Sequence, residues 1–223
     1  MNIPVLIKHQ GHELPELEPG GLRHVLADNG VFLERRSAIM TACTRVSAAA
    51  WQLDEHRQSC RTHFGRLPRS LHRVMLTFFQ HVHRLFGGEA ALVLLYHPEH
   101  RTFRWHCPAQ VVEVYCTSRG WTASDRIEFE NPWQLPDGFV HLGDAHLHPY
   151  SSEPSALDLA EDQDGLHIIV GDILSRSSYH VDFVVDRVRF NVPPSSFFED
   201  LECAPFRRVP AKWVQQIHLR FVR

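Results

Sequence analysis

The feature that most constrains this chain is a helical apolar pattern that stops at two glycines and runs directly into a strand. Leu71, Val74, Met75, Phe78, Phe79, Val82, Leu85 and Phe86 recur at steps of three and four, which puts them on one broad helical face that must be buried against another layer. Pro68 suits the first turn of that helix, and Gly87-Gly88 supplies its stop. Glu89 follows, and then AALVLLY, an unbroken apolar run of strand length that reads as a buried strand.

Further strand-like segments are TFRWH at 102–106, QVVEVYC at 110–116, FVHLGDAH at 139–146, LHIIVGD at 166–172, and the pair YHVDFVV and RVRFNV around Asp186. SALDLAEDQ reads as a short helix opening at Ser155. The succession predicts an α/β or α+β domain with one central sheet flanked by helices. Residues 1–66 read as an N-terminal extension in which Asn29-Gly30 turns the chain before the strand VFLER, and Leu67-Pro68 marks a boundary. The domain then spans 67–200. In the tail, 201–223, the four-residue spacing of Trp213, Ile217 and Phe221 predicts a short helix packed back on the body.

Composition serves mainly to exclude. The 223 residues suffice for a real core. Cys43, Cys60, Cys107, Cys116 and Cys203 are odd in number and contain no Cys-x-x-Cys pair, so neither a disulfide framework nor a zinc knuckle is expected and a reducing cytoplasm is the natural home. The N-terminus lacks the apolar region of a signal peptide, and no run approaches the roughly 18 apolar residues of a membrane span. A net charge of -3 gives no footprint for nucleic acid. The basic tail residues Arg207, Arg208, Lys212, Arg220 and Arg223 read as a solvated face.

The segment that carries chemistry is Gly143-Asp144-Ala145-His146-Leu147-His148-Pro149, followed by Ser155 and Asp158. Two histidines at i and i+2 of an extended segment point to one side, so both imidazoles can converge on one ion. Zinc accepts imidazole nitrogen and carboxylate oxygen at similar distances, and Asp158 can supply the third ligand. Three protein ligands leave a fourth position open, the arrangement of a catalytic site. A lone His-x-His is common by chance in a chain with 17 histidines, and Ser155-x-x-Asp158 also has the form of a helix capping box.

The set His146-x-His148-Pro149-x5-Ser155-x-x-Asp158, with Glu89 upstream, resembles the signature of the JAMM (MPN, or JAB) metalloproteases. The resemblance covers roughly 68–192 and is nearest to the bacterial JAB branch. It implies a deaminase-like JAB/MPN fold and a single zinc on His146, His148 and Asp158. It also implies Glu89 as general base to the zinc-bound water and Ser155 as a donor to the oxyanion. The implied substrates are peptide or isopeptide bonds after the C-terminus of ubiquitin or a ubiquitin-like protein, with E1-like and E2-like proteins of the same bacterial operon as companions, in some cases in anti-phage defence. The loop between Pro149 and Ser155 has five residues where the family has six, and Leu147 stands where serine or threonine is usual. Residues 20–50, including GVFLERRSAIM, resemble the N-terminal region of the plasmid-cassette family PRTRC protein A.

Other readings use the same letters. Asp144-Ala145-His146-Leu147-His148 also resembles the opening of PHP phosphoesterases and amidohydrolases, but only 75 residues follow His148, too few for a barrel of about 250 residues. A cupin would use His146, His148 and Glu153, without that motif's glycines. A catalytically inactive MPN-like scaffold that binds partner proteins is the alternative from another class. Glu113 is the second upstream glutamate, and alternation within QVVEVYC leaves it on a solvated face. His180 is the fallback ligand should Asp158 not serve.

Overall fold

The computed structural model describes residues 3–47, 54–117, 120–132, 134–160 and 163–222. The chain is mixed α/β and divides into two compact units, one of Met1–Phe64 with Val185–Phe190 and one of Gly65–Val184 with Asn191–Arg223.

The first unit is built on a sheet in the order β1 (Val5–Ile7), β2 (Leu22–Ala27), β3 (Gly30–Arg36), β4 (Met40–Ser47) and β5 (Ser59–Thr62). Val25, Ala27, Phe32 and Cys43 form its core. Ala27 pairs with Gly30, so the hairpin turns at Asp28 and Asn29, one residue before the expected Asn29-Gly30.

In the second unit, α1 (Arg69–Phe86) begins after Pro68 and ends at Gly87, whose left-handed backbone (φ 69°) lets its N–H donate to the His83 carbonyl. Met75, Phe78, Phe79 and Val82 are completely buried, and each such side chain contributes about 1.5–3 kcal/mol. Leu85, expected on that face, is 55% exposed in the last turn, while His72 is wholly buried there. Next come β6 (Ala91–His97), buried at every residue, β7 (Thr102–His106), β8 (Gln110–Thr117), β9 (Gly120–Phe129) and β10 (Val140–Leu147). After them follow α2 (Ala156–Ala160), β11 (Gly165–Gly171), β12 (Ser178–Val185), β13 (Val188–Asn191, which up to Phe190 belongs to the first unit), α3 (Pro194–Phe197), α4 (Ala211–Val214) and β14 (Ile217–Val222).

The strands form two sheets where one was expected: β13-β12-β11-β10-β6-β7 and β14-β8-β9. The tail ends in a strand where a helix was expected. Only Ala211–Val214 is helical, and Ile217–Val222 pairs in parallel with β8. Strand β9 was not among the expected strands, although WTASDRIEFE alternates apolar and polar residues with a single break at Asp125. Glu161 and Asp162, within the expected helical segment SALDLAEDQ, lie outside the described residues, as does Arg223. Among the described residues no helix is long and apolar enough to cross a membrane, and Cys43, Cys60, Cys107 and Cys203 are free thiols.

Candidate metal centre

Strand register assembles the site. Asp144, His146 and His148 follow one another at i and i+2 from β10 into its exit and so share one side of the chain. β10 runs antiparallel to β6 with Ala91 opposite His146 and the Leu147 amide donating to the Ala90 carbonyl. Glu89 precedes β6 and His148 follows β10, so the same register carried beyond the strand ends brings the two together. Gln110 fixes the start of β6: its side chain accepts from the Ala91 amide at 2.8 Å and donates to the Ala91 carbonyl at 3.1 Å.

From His148 the chain crosses to α2 and returns as β11, which lies parallel to β10. The short loop from Pro149 to Ser155 fits because it lies on Gly171. A Cβ there would stand 2.2 Å from Ser151 C and Ser152 N. At the head of α2 the Asp158 amide donates to Ser155 Oγ at 3.2 Å and the Ser155 amide donates to Asp158 Oδ2 at 2.6 Å. The capping box is therefore real, and it also aims the aspartate.

The three expected ligands converge. Nε2 of His146 and Nε2 of His148 are 3.2 Å apart, Asp158 Oδ1 is 3.2 Å from the first, and Asp158 Oδ2 is 3.4 Å from the second. A tetrahedral ion with bonds of about 2.0–2.1 Å separates its ligand atoms by roughly 3.3 Å, so the spacing fits a zinc-sized cation. The tautomers agree as well. Nδ1 of His148 donates to the Glu153 carbonyl at 3.1 Å, and Nδ1 of His146 faces Asp144 Oδ1 at 3.5 Å, which turns both Nε2 atoms toward the common point.

Electrostatics favour a cation at that point. Burial opposes charge on His146, yet the Asp144 and Asp158 carboxylates outweigh it and push its pKa up to about 10. Burial likewise opposes charge on Asp158, and the two imidazoles and the Ser155 hydroxyl overcome it and hold the carboxyl well below the usual range. A field that gathers a proton between these groups also draws a divalent ion.

Glu89 is 6% exposed, and its Oε1 lies 3.9 Å from Nε2 of His148. Glu89, His146, His148, Ser155 and Asp158 line one small cavity of about 50 Å³, together with Arg126, Ile127, Phe129, Asp144 and Leu157. The last five also line a groove of about 970 Å³ that runs along β9. Asp144, Gln110 and the β9 residues were given no role from sequence. Asp144 carried a usable signal, since it stands two residues before His146 and shares its side of the strand.

The remaining candidates fall elsewhere. Glu113 pairs with Arg220 at 3.4 Å on the three-stranded sheet. His180 sits on β12, 3.1 Å from Asp182. Glu153 serves His148 through its backbone carbonyl, not as the carboxylate ligand a cupin needs. A second metal-compatible group among the described residues is Glu34, Cys43 and His56. There Glu34 Oε1 lies 2.7 Å from His56 Nε2, and Oε2 accepts from Arg23 at 2.6 Å. The fixed guanidinium accounts for this group as a hydrogen-bonded hub of the first unit.

No protein-family model matches the chain, and a search of curated proteins finds no match.

Proposed function

We propose that this chain is a zinc-dependent peptidase or isopeptidase of the JAMM type, cleaving after the C-terminus of a ubiquitin-like protein that also engages E1-like and E2-like partners. The observation that carries the reading is the convergence of His146, His148 and Asp158 at 3.2–3.4 Å with the buried Glu89 carboxylate beside them. The order of α1, β6, β10, α2 and β11 around this cluster supports a deaminase-like JAB/MPN fold for 67–200.

Bound zinc supplies Lewis acidity and lowers the pKa of water to about 7. His146, His148 and Asp158 would hold it, with Asp144 and the Glu153 carbonyl fixing the imidazole tautomers. Glu89 takes the proton of the attacking water and returns it to the leaving amine. Ser155 Oγ accepts the Asp158 amide, and its hydroxyl proton, which the Asp158 carboxylate holds at rest, turns to the developing oxyanion. The groove along β9 offers an extended peptide a route to these groups, with Leu157, Ile127 and Phe129 as apolar contacts and β9, the last strand in the order β14-β8-β9, as a backbone partner.

The test is metal content and cleavage together. Purified protein should carry one zinc per chain and should cut a ubiquitin-like C-terminal fusion until a chelator is added, while His146→Ala and Asp158→Ala lose the metal. Full metal content in both variants overturns the site. A zinc-loaded protein that binds the fusion without turnover identifies a scaffold instead.

A further inference from the structure

The row of side chains beneath the centre is ordered across three strands. The parallel register of β10 and β11 sets Asp144 opposite His167, and the antiparallel register of β11 and β12 sets His167 opposite Asp182. An acid, an imidazole and an acid thus stand side by side on one face of the sheet. Gly143 makes the first pairing possible, because a Cβ there would lie 1.8 Å from the Leu166 carbonyl oxygen. Any larger residue would force β10 and β11 apart just where Asp144 and His167 meet.

Each contact in this row has a defined direction. Nε2 of His167 lies 3.0 Å from the Gln163 carbonyl; a carbonyl only accepts, so Nε2 carries a proton. Its Nδ1 lies 3.3 Å from Asp144 Oδ2, while Asp144 Oδ1 faces Nδ1 of His146 at 3.5 Å. With both nitrogens protonated, His167 donates to one carboxylate oxygen and leaves the other for the metal ligand. The side chains of His167, Asp144 and His146 are only 10–15% exposed, so water competes little for these contacts. From the far side Asp182 adds its negative charge to the field at His167.

We infer that Asp144 and His167 form a positioning pair: His167 fixes the Asp144 carboxylate, and Asp144 orients His146 so that its Nε2 points at the metal. The inference rests on the metal-centre reading and adds two residues to it. Neither residue touches the ion. Outer partners of this kind typically change metal affinity by about 10–100-fold.

The experiment measures zinc and cobalt(II) affinity of the full chain by competition with a chromophoric chelator, alongside the melting temperature of the metal-free protein. Asp144→Ala should weaken zinc about 10–100-fold and shift the visible spectrum of the cobalt(II)-loaded protein. Asp144→Asn, which still accepts a hydrogen bond but carries no charge, should fall between that variant and wild type. His167→Gln should weaken zinc, and the double variant Asp144→Ala/His167→Gln should bind no worse than Asp144→Ala, because His167 acts through Asp144. A purely structural role would lower the melting temperature while leaving affinity and spectrum unchanged, and that result overturns the inference, as do additive losses in the double variant. If Asp144→Ala does not fold, Asp144→Asn and His167→Gln carry the same comparison. Failure of wild type to bind zinc or cobalt at all would instead remove the centre itself.

Discussion

Glu89 and His148 face each other across the β6–β10 ladder: the register that pairs Ala91 with His146 brings the Glu89 carboxylate to 3.9 Å from Nε2 of His148. A carboxylate so placed can reach a water on an ion that His148 would hold. Glu89→Gln keeps this shape but removes the base. Zinc content and folding should stay at wild-type levels while turnover falls about 10²–10⁴-fold. Glu113→Gln, on the other sheet beside Arg220, should retain near wild-type turnover. A fully active Glu89→Gln refutes the assignment.

Ser155 has two tasks that can be separated by measurement. Ser155→Ala removes the acceptor of the Asp158 amide, which should cost about 1 kcal/mol in a denaturant titration. Loss of the oxyanion donor should lower kcat about 10²–10³-fold. If turnover falls only in proportion to zinc lost, the hydroxyl serves the cap alone.

Gly171 gives the most direct test of how the five-residue loop is accommodated. The Cβ of Gly171→Ala would meet the Ser151–Ser152 backbone at 2.2 Å, a contact no side-chain rotation relieves. Overpacking of this kind should lower stability by about 1–3 kcal/mol and weaken zinc binding, because the displaced loop carries Asp158 with it. An unchanged zinc affinity would show that the loop does not set the position of that ligand.

His72 predicts an acid-sensitive stability. Burial lowers its pKa from 6.5 to about 4, against the opposing hydrogen bond to the Asp200 carbonyl. Its Nε2 meets the Tyr179 hydroxyl at 3.0 Å and its Nδ1 lies 3.2 Å from Cys203 Sγ. A depressed histidine pKa means that the unfolded chain binds the proton first, so stability is complete above pH 6.5 and falls as the pH drops toward 4. The full effect is about 3 kcal/mol, with about 2 kcal/mol of it reached by pH 5. Urea midpoints between pH 7.5 and 5 should decline more steeply for wild type than for His72→Gln, and equal slopes would remove His72 as the cause.

Local pattern determined much of this protein. The three-and-four spacing from Leu71 onward defines α1, Gly87 defines its end, and the apolar run after Glu89 defines β6, because each depends on residues close in sequence. The same holds for the shared side of His146 and His148, which strand geometry alone dictates. Trp213, Ile217 and Phe221 show where local pattern fails. A spacing of four satisfies a helical face and is also an even number, so it equally suits one face of a strand, and pairing with β8 decided the matter for Ile217 and Phe221. Strand partners are chosen by contacts between residues far apart in the chain, which no window of sequence contains. For that reason the pairing of β9 with β8, the Gln110 clamp on Ala91 and the meeting of Asp144 with His167 belong to the tertiary structure. The ligands, and Asp144 and Ser155 that aim them, lie on one short segment and were within reach of sequence; Gln110 and His167 were not, because the registers of β6, β10 and β11 bring them there.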